Sequence, residues 1–187
     1  MKLSDYFLAR YTENSFMIQE KARALLYFIM AFIVLIPIII ISVNIVQPFS
    51  SDNVVFVILL LASVIGLILL KNGQYNASAN LIITFASILI VVFMFYKAFE
   101  SKDADFISFT YYMPVIIILT ALFCRIRWVI GISLFFIVST IVCTVIMSTI
   151  LTDIYSRVLK DLAVDYLFSI TLSFVLCLLI VRINTRN

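Results

Sequence analysis

Six stretches of this chain are almost free of charged residues for about as long as a helix needs to cross a lipid bilayer. A crossing takes about 20 mostly apolar residues. Every backbone amide in hydrocarbon must also bond within its own segment, so continuous apolar stretches of this length predict helices. The stretches run from Arg23 to Asp52, Asp52 to Lys71, Lys71 to Lys97, Asp105 to Arg125, Arg127 to Asp153, and Asp161 to Arg182, the last interrupted by Asp165.

Composition supports the same class. The 187 residues are 65% hydrophobic and 12% charged, whereas soluble domains are about 45–50% apolar and about 25% charged. We therefore predict an all-α fold: a polytopic membrane protein with a six-transmembrane-helix bundle and an amphipathic amino-terminal helix. The predicted segments are residues 1–22 for the amphipathic helix, 23–182 for the bundle with spans at about 23–46, 53–70, 76–97, 106–124, 128–151 and 162–182, and 183–187 for the start of a cytoplasmic connector.

Basic residues predict the orientation, because cytoplasmic loops retain Lys and Arg. If both termini lie in the cytoplasm, nine of the thirteen basic residues fall on that side. These nine are Lys2, Arg10, Lys21, Arg23, Lys71, Arg125, Arg127, Arg182 and Arg186. The expected location is a bacterial cytoplasmic (inner) membrane, crossed several times.

The first twenty-odd residues mix aromatic and charged side chains. Helical spacing places Leu3, Phe7 and either Arg10 or Tyr11 on one stripe, which favours an amphipathic interfacial helix that leads into the first span. A membrane-surface anchor is the simpler interpretation. The alternative is a cytoplasmic element that packs against a partner subunit or an effector.

The chain contains no histidine. This excludes the Ser-His and Cys-His nucleophile pairs and the zinc and haem sites that depend on a His ligand. The three cysteines lie in apolar stretches without C-x-x-C spacing, so we interpret them as small hydrophobic residues. We expect no enzyme activity in this chain, no cofactor, no metal and no nucleic acid partner.

Ionisable groups near the middle of a bilayer usually indicate transport, and Asp165 is the sole candidate within the spans. Counting from Asp161, it lies about one helical turn below the outer surface. It is interpreted either as an interfacial carboxylate or as a group that contacts a ligand or senses protons. A small transporter or channel therefore remains the alternative function, and a scaffold or a stand-alone enzyme without His is a further one.

Polar residues at a similar depth in spans four and six predict a ligand pocket in the outer leaflet, provided that these two helices adjoin. An apolar cavity with a few convergent polar groups is the usual form of a small-ligand site. A proline inside a membrane helix also predicts a kink, here near the middle of span four. The competing interpretation is an aromatic belt with a proline that only shapes packing. The candidate residues are Tyr111, Tyr112, Pro114, Asp165, Tyr166 and Ser169.

Layout and a few short motifs resemble a known family. "KARALLYF" precedes span one, span four ends in "LFCRIRW", and the last helix leaves toward the cytoplasm. This is similar to the six-helix amino-terminal membrane domains of bacterial class III adenylate or guanylate cyclases and of related membrane histidine kinases and chemotaxis-type receptors.

The resemblance implies a sensory or input domain that receives a membrane-borne or lipophilic signal. It implies that a conformational change passes through the last helix, with Arg182 and Arg186 at the signal exit, to a cytoplasmic output domain such as a nucleotide cyclase. It further implies a homodimer and an output domain beyond Asn187. The partners expected are the lipid bilayer, a lipophilic ligand and a second copy of the chain.

Overall fold

The computed structural model describes residues 3–46, 52–101, 110–150 and 153–184. Within these ranges the chain forms seven α-helices and no strand. The helices are α1 (Leu3–Leu8), α2 (Phe16–Val46), α3 (Asp52–Lys71), α4 (Tyr75–Ser101), α5 (Tyr112–Phe123), α6 (Ile126–Ile150) and α7 (Asp153–Asn184), with a short 3-10 helix at Ala9–Tyr11 after α1.

Five of these helices are long and apolar enough to cross a membrane. They are α2, α3, α4, α6 and α7, with candidate spans at Phe16–Ser42, Asn53–Lys71, Tyr75–Phe99, Ile126–Ile150 and Leu162–Leu179. Helix α5 is apolar but shorter. The prediction of an all-α fold is confirmed for the described residues, and these five helices have the length and composition expected of a membrane protein.

The chain divides into two compact units, residues 1–85 and 86–187, with the boundary inside α4. In the first unit, α2 packs against α3. The Asn53 side-chain amide donates to the Asn44 side-chain oxygen at 2.8 Å, and Tyr11, just before α2, bonds Leu70 near the end of α3. Because the end of α2 meets the start of α3 and the start of α2 lies near the end of α3, the two helices are antiparallel.

Small residues bring α3 and α4 together within the first unit. Ala62 and Gly66 are buried, and the Ser78 hydroxyl on α4 donates to the Gly66 carbonyl at 2.7 Å. A Cβ atom on Gly66 would stand only 2.7 Å from Ile82 Cδ1. The Ala62–Gly66 pair thus serves packing inside one chain, as small residues commonly do between membrane helices.

The second unit contains α5, α6 and α7, each of which packs against the other two. Its core is apolar, and the Thr140 hydroxyl on α6 donates to the Met113 sulfur on α5 at 3.6 Å. All three cysteines are free and buried, as small hydrophobic residues would be. The core side chains include Met113, Ile117, Phe136, Cys143, Met147, Ile170 and Cys177.

Three helix starts and one kink differ from the sequence predictions. Helix α7 begins at Asp153, nine residues before the predicted span 162–182, although its candidate membrane span begins at Leu162. The amphipathic segment 1–22 is divided between α1, the 3-10 helix and a bend, and α2 already begins at Phe16. Span four, predicted at 106–124, is described only from residue 110, and its α-helix starts at Tyr112; residues 106–109 lie outside the described part. The kink expected at Pro114 is wrong, because this proline lies in the first turn of α5, where its missing N–H removes no internal hydrogen bond.

Candidate functional site

Tyr111, the residue that immediately precedes α5, contacts Tyr166 on α7 within the second unit. Their ring centroids lie 5.1 Å apart with an interplanar angle of 85°, the edge-to-face geometry that aromatic pairs favour. The Tyr166 hydroxyl is within hydrogen-bonding reach of the Tyr111 and Thr110 side chains. Tyr166 is 9% exposed and Tyr111 is 65% exposed. One ring therefore belongs to the core, and the other covers it from the outside.

The other candidate pocket residues lie at varying depths around this tyrosine pair, Tyr111 and Tyr166. Tyr112 is 58% exposed, and Asp165 is also exposed. Pro114 and Ser169 are half-buried. The structure thus joins two of the six predicted residues directly, adds Thr110 to them, and leaves Tyr112 and Asp165 on the outer surface of their helices.

Helix α7 carries Tyr166 and also leads to the predicted signal exit. It runs without interruption from Asp153 to Asn184 and includes Arg182. Arg186 and the rest of the predicted connector beyond Asn184 lie outside the described residues. Tyr166 and Arg182 therefore lie sixteen residues apart on one uninterrupted helix.

A second candidate site was not predicted from the sequence. It lies at the end of α3, where the chain turns into α4 through Gly73, whose φ is +81°. The Gly73 N–H bonds the Leu70 carbonyl and the Gln74 N–H bonds the Leu69 carbonyl, both at 3.0 Å. This pair of bonds is the Schellman motif, in which glycine supplies the left-handed residue that ends a helix.

The amino-terminal segment, residues 3–15, docks on this helix end. Tyr11 is only 2% exposed, and its hydroxyl donates to the Leu70 carbonyl at 2.9 Å. The Arg10 guanidinium donates to the Asn72 carbonyl at 3.1 Å. Helix ends leave carbonyl groups without helical partners. Arg10 supplies a donor to one such carbonyl, that of Asn72. Tyr11 adds a second donor to the Leu70 carbonyl, which also accepts the Gly73 N–H. Residues 3–15 are therefore packed and hydrogen-bonded as part of the first unit.

Two further contacts hold the amino-terminal segment in place. The Lys71 ammonium donates to the Tyr6 hydroxyl and lies 4.3 Å from the centroid of the Tyr6 ring. The Gln19 amide donates to the carbonyls of Thr12 and Asn14 at 3.1 and 2.9 Å, which fixes the bend before α2. Burial also raises the pKa of Tyr11 from 10.0 to about 12, because the buried site disfavours the phenolate. Tyr11 therefore stays a hydrogen-bond donor at neutral pH.

One part of this arrangement had a sequence signal. "KNGQ" places a glycine directly after an apolar run that ends in Lys71, which is typical of a helix C-terminus. No sequence pattern indicated that Tyr11 would bond this helix end, because Tyr11 and Leu70 are 59 residues apart.

In the described part of the chain, no group of three or more His, Cys, Asp and Glu side chains is placed to hold a metal ion. No protein-family model, curated protein or solved structure matches the chain. The likeness to cyclase, kinase and receptor input domains therefore rests on layout and short motifs, and the function is argued from the two sites above.

Proposed function

We propose that this chain is a membrane sensory or input domain. It receives a membrane-borne or lipophilic signal beside α5 and α7 and passes a conformational change along α7 to a cytoplasmic output domain. A nucleotide cyclase is the output that the family resemblance favours. The chain itself takes part without catalytic groups or cofactors.

The tyrosine pair is the observation that supports this proposal. Tyr166 is a core residue of α7, and its ring and hydroxyl both contact Tyr111, the residue that immediately precedes α5. An apolar ligand that inserts beside the exposed Tyr111 ring changes the contacts of this ring with Tyr166. Helix α7 is continuous from Tyr166 to Asn184. A ligand shifts such an equilibrium only by its difference in affinity for the two arrangements. In this proposal the difference in affinity comes from the contacts of the ligand with the exposed Tyr111 ring.

The membrane arrangement belongs to the same proposal. It comprises six spans, with α5 as the core of the fourth, both termini in the cytoplasm, and a bacterial cytoplasmic membrane. The signal passes through a homodimer, since output domains of the resembled family act as pairs. The excess of basic residues assigned to the cytoplasmic side supports this orientation.

Photolabelling tests the receiving site. The chain is reconstituted with a diazirine-bearing phospholipid in lipids of its native membrane, irradiated, and mapped by peptide mass spectrometry. We expect labelling to concentrate on peptides that contain Tyr111 and Tyr166, and to fall in Tyr111→Ala. The control is Tyr27→Ala, which removes an exposed tyrosine from α2 and should leave this labelling unchanged.

Signal transfer needs its own readout. A cysteine introduced at Asn184 reports on the end of α7 through its rate of modification by a water-soluble maleimide, because the native cysteines are buried. We expect addition of the native lipids to change this modification rate in the chain that carries only the cysteine at Asn184. When Tyr111→Ala is introduced as well, we expect the lipids to leave the rate unchanged. Even labelling along all lipid-facing helices, together with a constant modification rate, would refute the proposal.

A further inference from the structure

Arg10 and Lys71 bring two positive charges to the same end of the first unit. Arg10 bonds the Asn72 carbonyl, next to Lys71 in the chain, and Lys71 bonds Tyr6, one helical turn before Arg10. Both cations are exposed. Among the described side chains, neither forms an ion pair with a carboxylate, in contrast to Arg23, which pairs with Glu20 at 2.7 Å.

The neutral contacts of these cations orient them and, among the described residues, leave other hydrogen-bond donors of both groups unused. Arg10 spends one of the five N–H groups of its guanidinium on Asn72. Lys71 spends one of three on Tyr6. An anion with several acceptor oxygens is the ligand that matches two fixed cations with spare donors, and phosphate is the common biological example.

The position along the membrane normal selects the source of that phosphate. Helices α2 and α3 are candidate spans that begin at Phe16 and end at Lys71, so this end of the unit lies where lipid headgroups are found. Phe16 is 77% exposed, and Met17 is exposed beside it. Exposed apolar side chains next to Arg and Lys are typical of a surface that lies in the headgroup region.

We infer that Arg10 and Lys71, held by Asn72 and Tyr6, form a binding site for the phosphate of an anionic phospholipid. The phosphate oxygens accept N–H donors from both cations, and the acyl chains extend along the apolar faces of α2 and α3. This differs from general attraction to a charged surface, because the docked amino-terminal segment fixes the two cations in place. The site lies in the first unit and does not depend on the proposed signalling role.

Lipid titration tests the inference. The delipidated full chain in neutral detergent is titrated with phosphatidylglycerol, and bound lipid is counted by native mass spectrometry. Phosphatidylcholine and inorganic phosphate are titrated in parallel. Loss of a hydrogen bond to a charged group costs about tenfold or more in affinity. We therefore expect Arg10→Gln and Lys71→Gln each to weaken phosphatidylglycerol binding about tenfold or more.

The matched control is Lys21→Gln, which removes the same charge from the same unit outside the cluster. Thermal stability without anionic lipid checks that each variant is folded; Lys71→Gln keeps the contacts of Arg10 and Tyr11. The inference is supported if Lys21→Gln binds as the native chain does and phosphatidylcholine binds weakly. It is overturned if all three substitutions weaken binding equally, since that indicates diffuse attraction, or if inorganic phosphate competes as well as the lipid.

Discussion

Two glycines in the middle of helices allow the packing of α3 on α4 to be tested with one substitution made twice. Gly66 on α3 would place a new Cβ atom 2.7 Å from Ile82 Cδ1 and 2.9 Å from Ile82 Cγ1. Gly131 on α6 would place it with nothing within 4 Å. Changing each residue to Ala alters the helix backbone in the same way, and only Gly66→Ala introduces a steric conflict.

The magnitudes follow from two opposing effects. Alanine is favoured over glycine inside a helix by about 1 kcal/mol. Overpacking a buried contact costs about 1–3 kcal/mol, and the upper part of this range is reached only if Ile82 cannot move. The Cδ1 atom ends a flexible side chain, but Cγ1 is next to the Ile82 Cβ, so we take about 2 kcal/mol. Gly66→Ala is then destabilising by about 1 kcal/mol and Gly131→Ala stabilising by about 1 kcal/mol.

Reversible unfolding by sodium dodecyl sulfate in mixed micelles measures both changes, with Trp128 fluorescence or circular dichroism as the signal. Ile82→Val removes the Cδ1 atom, so the double variant Gly66→Ala/Ile82→Val should recover part of the loss, and a double-mutant cycle measures how much. Equal stabilisation by Gly66→Ala and Gly131→Ala would refute the close contact between α3 and α4.

Three further outcomes are expected. Gly73→Ala should cost about 1–2 kcal/mol because φ at this position is +81°, and Gly73→Asn should cost less because Asn tolerates that conformation; the same unfolding assay compares them. Tyr11 should ionise only near pH 12, so its contribution to stability is constant below pH 10 and is lost between pH 10 and 12. The tyrosinate absorbance of the native chain minus that of Tyr11→Phe measures this, and a transition near pH 10 would contradict it. Asp165→Asn should leave ion flux into liposomes unchanged, because the exposed position of Asp165 on α7 is not that of a buried relay group; a flux that depends on Asp165 would favour a transporter.

Helix positions were predictable wherever charges or turn residues bracket an apolar run. The ends of α3, α4 and α6 fall within a few residues of the predictions. The charged residues Asp52, Lys71 and Arg127 lie at the ends of the apolar runs, and hydrocarbon disfavours charged side chains. The start of α2 was predicted too late. The prediction began the span at Arg23, the last charged residue before the apolar run. The helix and its candidate span already begin at Phe16, because the mixed polar and apolar residues up to Ala22 form the same backbone hydrogen bonds.

The candidate sites were predictable to different extents. Tyr111 and Tyr166 were selected because aromatic and polar residues enter spans four and six at similar depths, and their rings do meet. The outward position of Asp165 depends on the rotation of α7, which is set by packing against α5 and α6. The docking of Tyr11 on Leu70 depends on a contact distant in sequence, and no local pattern encodes its partner.

This distant contact also orders events during synthesis. Residues 3–15 are synthesised before Leu70 and Asn72, whose carbonyls Tyr11 and Arg10 bond and which are added some sixty residues later. The amino-terminal segment therefore cannot dock until α3 has been made and has packed antiparallel to α2. A chain in which α3 does not pack against α2 leaves Tyr11 and Arg10 without these acceptors. Docking thus requires a correctly formed α2–α3 hairpin and uses no residue of the second unit.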